Sequence, residues 1–508
     1  MLESFWQHFK SGTDIRGVGT EGVAGQPVDL TDDVVARMAR GFALWLAERL
    51  QKDCTALCVS VGRDCRLSGP RIAEAAESAL EAAGVSVLSC GLSSTPAMFM
   101  TTVDLGCDGA VQITASHHPY HRNGLKFFTR SGGLEGADIE KILLFAQEDR
   151  LPPRRQGSRR EVDYMSDYAA RLRGLICQGL GAAEDTHPLK GFRIVVDAGN
   201  GAGGFYASQV LAPLGADVSG SQFLEPDGSF PNHIPNPENT EAMRSVSEAT
   251  VRAGADLGVI FDTDVDRGGA VDSRGREINR NRLLALTAAM LLEDHPGGTI
   301  VTDSITSYGL TDFIEKQLGG HHYPYKRGYK NVIDKALELN AQGVDCPAAG
   351  ETSGHIALRE NYFLDDGAYL LTRVITLMAR LKAQGRTLED MISTLREPVE
   401  EAELRMGILE PDFRACGERV LSGLRSFAEK QPGWEIDGNN REGVRIRTAA
   451  GAGDGWFLLR LSVHDPVLPL NLESNAEGGV LQMLSALYPY LSACEGIECA
   501  KVRDYLGL

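Results

Sequence analysis

Ser116 stands in the run Thr114-Ala115-Ser116-His117-His118-Pro119, a short polar turn after the apolar stretch of residues 109–113. A serine hydroxyl so placed can carry a phosphate as a covalent intermediate. Asp262, Asp264 and Asp266 recur at every other position in Asp262-Thr263-Asp264-Val265-Asp266-Arg267. Three carboxylates directly after an apolar stretch, residues 256–261, repel one another unless a cation sits among them. All-oxygen donors suit a hard divalent ion, Mg²⁺ first and Mn²⁺ as a substitute. A hydroxyl plus a caged cation is the minimum for phosphoryl transfer through a phosphoserine. An EF-hand calcium loop also begins D-x-D-x-D but wants Gly sixth and Glu twelfth; here Arg267 and Ser273 stand at those places. Lys126, ten residues beyond Ser116 in Asn123-Gly124-Leu125-Lys126-Phe127, brings a cation that would stabilise an attached phosphate or assist proton transfer. His117 and His118 are adjacent and are expected to point different ways, as core or surface histidines.

Three further segments carry weaker signals. Gly350-Glu351-Thr352-Ser353-Gly354-His355 sets Glu, Ser and His at alternate positions. In an extended loop that puts them on one side, a trio suited to sugar hydroxyls. Gly199-Asn200-Gly201-Ala202-Gly203-Gly204 matches G-x-G-x-x-G after a strand. A dinucleotide site would also want an acidic residue closing the next strand, and Asp217-Val218-Ser219-Gly220 does not supply one cleanly, so close backbone packing is the plainer reading. The basic stretch of residues 150–160, with Pro152-Pro153 and Gly157-Ser158, reads as a solvated surface connector.

Alternating strand and helix patterns must position these groups. Residues 56–61 form an apolar run suited to a buried parallel strand. Ser68 is expected to cap a helix running to about Ala83, with Gly84 as its stop and a strand at residues 85–88. Residues 31–50 carry Val35, Met38, Phe42, Trp45 and Leu46 at helical spacing, read as core. The alternation returns at strands 192–197 and 256–261, with a helix from about Gly204. It returns again at residues 299–302 and the helical 366–381. The last stretch differs: a polar loop (438–442), strands at 444–447 and 456–462, and a helix near the end form a smaller α+β module.

At 508 residues, with 43% hydrophobic and 24% charged, the chain has the size and mix of a globular protein of several domains. No apolar run approaches the ~20 residues of a membrane span. The start of the chain is not read as a secretory signal, and the ten scattered cysteines suggest reduced thiols in a cytoplasmic setting. A net charge of −18 argues against nucleic acid as a partner and requires local Lys and Arg to draw in an anionic substrate.

These segments, taken in order, resemble the α-D-phosphohexomutase superfamily of phosphoglucomutases and phosphomannomutases. Thr13-Asp14-Ile15-Arg16-Gly17 is similar to that family's Y-D-I-R-G, and Gly62-Arg63-Asp64-Cys65-Arg66-Leu67-Ser68 to its G-R-D-x-R-x-S. Residues 114–119 resemble T-A-S-H-N-P, with His118 for the asparagine. Asp227-Gly228-Ser229-Phe230-Pro231 and Pro235-Asn236-Pro237-Glu238 resemble D-G-x-F-P…P-N-P-E. Residues 262–267 resemble the metal loop and 350–355 the sugar loop.

The resemblance implies an α/β protein of four domains in a heart shape around a central cleft, three related α/β domains with mixed sheets and a C-terminal α+β domain. The limits would be residues 1–183, 184–277, 278–400 and 401–508. It implies that Ser116 carries the phosphate and, with Asp262, Asp264 and Asp266, holds one Mg²⁺. Arg16, Lys126 and Arg267 would surround the transferred group, with Lys126 and His355 as proton-transfer candidates. Glu351, Ser353 and His355 would grip the sugar; Lys330, and more weakly Lys326 and Arg327, would add basic contacts. Arg460, Ser462 and His464 would hold the second phosphate. The implied reaction interconverts hexose 1-phosphate and hexose 6-phosphate, glucose or mannose, through a hexose 1,6-bisphosphate. The implied partners are sugar phosphates, the state a monomer or homodimer.

Here Arg460-Leu461-Ser462-Val463-His464-Asp465-Pro466 departs from the family's R-x-S-N/G-T-E-P phosphate loop, valine replacing the small residue and histidine the threonine. Two alternatives therefore stand beside the mutase: a bisphosphate-forming phosphotransferase or phosphoglucosamine mutase, and a non-catalytic sugar-phosphate-binding relative.

Overall fold

Val59, Val61, Ala110, Val111 and Ile113 have almost no solvent exposure. Apolar strands buried on both faces need helices on both sides, which is the layering of an α/β sheet. The computed structural model describes residues 1–151, 156–462 and 465–508. It divides into two compact units, residues 1–283 with 353–390, and residues 284–352 with 391–508. The division cuts across the expected third domain, residues 278–400.

The first unit holds a mixed eight-stranded sheet. Its order is Lys10–Ser11, Asp14–Val18, Arg122–Thr129, Gly109–Ile113, Cys58–Arg63, Ser86–Leu92 and Ser158–Glu161, with Gly132–Gly133 beside Arg122–Thr129. The central strands Cys58–Arg63, Ser86–Leu92 and Gly109–Ile113 are parallel, while Arg122–Thr129 runs antiparallel to Gly109–Ile113. Helix Asp32–Leu50 covers one face; Thr31 Oγ1 accepts the Val34 N–H as its N-cap, and Phe42 and Trp45 are buried as expected. A second, four-stranded sheet runs Glu277–Ile278, Gly268–Asp272, Leu257–Phe261, Ile194–Asp197, and the hairpin Ile356–Leu358 with Leu364–Asp365 also belongs to this unit.

The second unit holds the parallel strands His321–Pro324, Thr299–Thr302 and Ala348–Gly350. It also holds an all-antiparallel six-stranded sheet between Glu400 and Glu498, packed under helices Phe413–Ala428 and Gly479–Ala493. That is the α+β module read from the sequence.

Several local expectations are corrected. Ser68 precedes helix Gly69–Ala82 but makes no cap bond; its hydroxyl instead accepts the Asn123 side-chain amide at 2.9 Å. The region after Gly204 is a π-helix, Tyr206–Leu211, not a regular α-helix. The basic stretch is more than a connector. Ser158–Glu161 adds an edge strand parallel to Ser86–Leu92, and Arg159 lies within 2.8 Å of Glu74 and 3.1 Å of Glu77. Residues 152–155 lie outside the described residues. The glycine run does pack tightly: a Cβ on Gly204 would meet Leu224 O at 2.1 Å and one on Gly201 would meet Thr263 O at 2.8 Å. All ten cysteines are free thiols, and among the described residues no helix is long and apolar enough to cross a membrane.

Candidate active site

The strand Gly109–Ile113 delivers the chain into a turn in which Thr114 Oγ1 accepts the Ser116 N–H at 2.9 Å. Ser116 has φ +49°, in the left-handed region that a non-glycine residue enters only when its surroundings hold it there. Arg66 is the holder. Its fully buried guanidinium donates to four loop carbonyls: Ser116 at 2.5 Å, His118 at 2.6 Å, Pro119 at 2.7 Å and Arg122 at 3.0 Å. Nε donates to Asp64 at 3.2 Å, so every arm of the fork is used.

The aspartates occupy the hairpin between Leu257–Phe261 and Gly268–Asp272, where Phe261 pairs with Gly268. Val265 has φ +69°, unusual for a β-branched residue, and it sits between Asp264 and Asp266. Ligand oxygens of Asp262, Asp264 and Asp266 lie within 4.8 Å of one another, and all three residues are buried. Ser116 Oγ donates to Asp262 Oδ2 at 3.3 Å, so nucleophile and carboxylates meet.

Lys126, on the strand Arg122–Thr129, pairs with Asp266, and with Asp264 at 3.3 Å. Against its own burial, Asp264 and Asp266 hold its pKa well above the usual lysine value. Asp266 is likewise held low despite burial, by Lys126, His355 and Arg267. Asp262 goes the other way, pushed well up by burial and then by the charges of Asp266 and Asp264. Thr95 closes the arrangement: its N–H donates to Asp264 O at 2.8 Å and its hydroxyl to Asp264 Oδ2 at 2.5 Å. Asp264 Oδ1 and Asp266 Oδ1 are buried with no hydrogen-bond partner. Two orphaned carboxylate oxygens beside a third carboxylate fit a hard divalent cation.

Arg267 links this loop to His355. Its Nε donates to His355 Nε2 at 3.2 Å, Nη1 to Glu238 at 3.2 Å and Nη2 to His117 Nδ1 at 2.9 Å. His355 Nδ1 is 3.1 Å from Ser353 Oγ. Since Nε2 accepts from Arg267, Nδ1 carries the proton donated to Ser353. His117 and His118 do not diverge; their rings stack with centroids 5.2 Å apart, and His117 Nδ1 also lies 3.4 Å from Ser116 Oγ. The adjacent Arg267 charge, with burial, drives the His117 pKa down to about 2. Arg16 is buried, donating to Thr114 O at 2.6 Å and Asp14 at 2.7 Å, which positions the start of the serine turn.

In the second unit, Glu351 accepts the Gly328 N–H at 2.7 Å. Asp303 accepts both the N–H and the hydroxyl of Thr352, at 3.3 and 2.9 Å, and its Oδ1 has no partner. Burial pushes the Asp303 pKa up to about 7, Arg327 opposing and Glu351 adding. Arg460 is buried, its Nε has no hydrogen-bond partner, and its Nη1 is 3.9 Å from Glu442. Glu442 also accepts from Ser304 Oγ at 2.5 Å and from the Arg327 N–H at 3.0 Å. Ser462 Oγ accepts the Asp465 N–H at 3.3 Å, a serine turn within the loop. Lys330 forms an ion pair with Asp334 at 2.6 Å along its own helix. His464 lies outside the described residues.

Sequence reasoning missed Arg66, Thr95, His117, Asp303 and Glu442 as working parts of these clusters. Arg66 stood inside a quoted motif with no role assigned. Thr95 offered only a Ser-Thr-Pro helix start, and its partner lies 169 residues away.

Phosphoglucomutase/phosphomannomutase alpha/beta/alpha domain I matches residues 15–149, domain II residues 177–275 and domain III residues 279–398. The chain is 30% identical over 469 residues to a phosphoglucomutase of Neisseria gonorrhoeae, spanning 92% of this chain and 93% of that one. It is 31% identical over 421 residues to a phosphomannomutase/phosphoglucomutase of Pseudomonas putida, spanning 82% and 84%. The chain belongs to the phosphoglucomutase/phosphomannomutase family. A solved structure of a family protein from Burkholderia thailandensis superposes with a TM-score of 0.78 at 27% identity, over 97% of this chain and 98% of that one. Membership makes the chain a phosphohexomutase, an isomerase of the α-D-phosphohexomutase superfamily.

Proposed function

We propose that the chain interconverts hexose 1-phosphates and hexose 6-phosphates of glucose or mannose, with Ser116 as phosphate carrier and a hexose 1,6-bisphosphate as intermediate. The observation that carries this reading is the contact of Ser116 Oγ with Asp262, at 3.3 Å, beside carboxylates with unpartnered oxygens. Asp262, Asp264, Asp266 and the phosphorylated Ser116 would hold one Mg²⁺, which when bound supplies charge neutralisation to the phosphoryl oxygens.

The phosphate on Ser116 passes to a sugar hydroxyl: the serine P–O bond breaks and a sugar P–O bond forms. The hydroxyl proton leaves to a base and the serine oxygen keeps the bonding pair, stabilised by nearby positive charge. Lys126 is a cation held by two carboxylates, which supports His355 as the base, its tautomer set by Arg267. Arg267 and Arg16 steady the moving group. The bisphosphate then presents its other phosphate, and the reverse transfer regenerates phosphoserine. Glu351 and Ser353 take the sugar hydroxyls, and Arg460 with Ser462 takes the phosphate that is not moving. Lys330 and His464 add contacts to the substrate. The same reading sets the domain limits at residues 1–183, 184–277, 278–400 and 401–508.

The test is a panel of glucose, mannose, glucosamine and N-acetylglucosamine 1-phosphates with magnesium and the matching bisphosphate, alongside intact mass of the isolated chain. The reading expects 6-phosphate product from glucose or mannose and one phosphate on Ser116. Net bisphosphate from a phosphate donor, without isomerisation, would replace it with the phosphotransferase.

A further inference from the structure

Of the ten cysteines, two come within reach of each other in a way the phosphohexomutase reaction does not use. Cys58 begins the strand Cys58–Arg63 and Cys107 lies just before the strand Gly109–Ile113. Their sulfurs are 3.8 Å apart although the residues are separated by 49 positions. The backbone fixes this meeting: the Asp108 N–H donates to Cys58 O at 2.8 Å, and the Cys58 N–H donates to Asp108 Oδ2 at 2.9 Å. The register pairs Val59 with Gly109, so Cys107 stands one residue before the position that faces Cys58. A disulfide requires the sulfurs to close from 3.8 Å to about 2.05 Å.

We infer that Cys58 and Cys107 form a reversible thiol–disulfide site, oxidised by low-molecular-weight disulfides of the glutathione kind. Their unequal exposure sets the order of events. Cys58 is half-buried and reachable, whereas Cys107 is 3% exposed. The hydrogen bond with Cys107 lowers the Cys58 pKa to about 7, with Arg160 helping and burial and Asp108 opposing. The same hydrogen bond raises the Cys107 thiol. Cys58 is accordingly the attacking thiolate and Cys107 the resolving thiol.

In the first step the Cys58 thiolate attacks one sulfur of the small disulfide. A Cys58–glutathione bond forms, the small disulfide's S–S bond breaks, and one thiolate leaves. Cys58 then no longer holds the Cys107 proton, which passes to solvent. The Cys107 thiolate attacks the Cys58 sulfur and expels the second glutathione. Two protein thiols are oxidised and one small disulfide is reduced to two thiols.

The crosslink would enclose the segment that carries Arg66 and Thr95. It joins the chain at the start of Gly109–Ile113, whereas Ser116 follows that strand's far end, about 13 Å along the strand at ~3.3 Å per residue. Turnover should therefore survive oxidation.

Oxidised glutathione added to the full-length native protein, followed by thiol titration, intact mass and non-reducing peptide mapping, tests this. The expected result is a fall from ten titratable thiols to eight, the loss of two hydrogens from the intact mass, and one crosslinked peptide pair joining Cys58 to Cys107. Activity should stay within about twofold, and dithiothreitol should reverse the change. C107S should stop at a stable glutathione adduct on Cys58, and C58S should give no adduct at this pair. A persistent glutathione adduct on the wild-type chain, a crosslink that recruits buried Cys90 instead, or no reaction of the folded protein would each overturn the site. Because the wild-type chain gives the decisive readout, poor folding of either variant does not shield the inference.

Discussion

The Ser116–Asp266 cluster and the Arg460–Asp303 cluster are both buried and polar, yet each leaves atoms of different character open. Around Ser116 the open atoms are acceptors, Asp264 Oδ1 and Asp266 Oδ1. The cations beside them are already committed: Lys126 to Asp264 and Asp266, Arg66 to loop carbonyls, Arg267 to Glu238 and two histidines. Around Arg460 the Nε–H is left without a hydrogen-bond partner, while Nη1 stands 3.9 Å from Glu442. Asp303 beside Glu351 is pushed up to about 7 rather than paired down. A buried polar group without a partner costs roughly 1–3 kcal/mol, so each cluster favours the ligand that completes it. The first asks for a hard cation; the second asks for an anion and a hydroxyl.

Removing the nucleophile attacks the contrast at its strongest point. Ser116→Ala should leave no phosphate in the intact mass and lower kcat on the order of 10³-fold or more, while sugar phosphate still binds. Full activity would reject the serine as carrier. Next in size are the acceptors. Asp264→Asn should abolish the magnesium response, and unchanged Mn²⁺ affinity by calorimetry would remove the cage. Thr95→Val should weaken Mn²⁺ binding by about 10–100-fold because Asp264 loses the bond that turns its free oxygen inward, with Thr95→Ser restoring it. A Thr95→Val chain that binds Mn²⁺ normally, while Asp264→Asn does not, would clear the cage but reject Thr95 as its positioner.

The opposite cluster predicts a different signature. Arg460→Ala should raise KM about 10–100-fold with kcat changed far less, since a charge-assisted bond of about 1.5–3 kcal/mol is made equally in ground and transition states. Equal losses in kcat and kcat/KM would show the group acting in the transition state instead.

The smallest effect concerns a third carboxyl, Glu473. It is buried, accepts Trp456 Nε1–H at 2.8 Å, and is pushed up to about 7 by burial, although Arg445 opposes. The folded state therefore binds a proton that the unfolded chain gives up near pH ~4.3. Stability is full below that value and falls as pH rises towards about 7, by on the order of 4 kcal/mol at most. Glu473→Gln, which still accepts from Trp456, should be more stable than wild type by a margin that grows between those pH values. A melting-temperature difference independent of pH would show that Glu473 stays ionised.

Legibility followed distance along the chain. The strands Gly109–Ile113 and Thr299–Thr302 came out at their expected limits, and helix Asp32–Leu50 fills the expected residues 31–50. Those signals are periodic and local. The π-helical Tyr206–Leu211 and the edge strand Ser158–Glu161 did not announce themselves. An edge strand of Ser, Arg, Arg and Glu exists because Ser86–Leu92 offers it a ladder, not because its residues favour one. Ser116 and the aspartates were readable because their chemistry sits in contiguous motifs. Their helpers were not, since Arg66 acts on carbonyls 50 or more residues away and Thr95 on a carboxylate in another sheet's hairpin.

The order of residues by itself determined most of the element types and the family, because those depend on side-chain chemistry and short-range spacing. Only the tertiary structure decided protonation and partnership: Lys126 as a bound cation rather than a free base, His117 as an uncharged acceptor, and Cys58 beside Cys107. Electrostatic energy depends on burial and on separation through space, and neither is written in the distance between two residues along the chain.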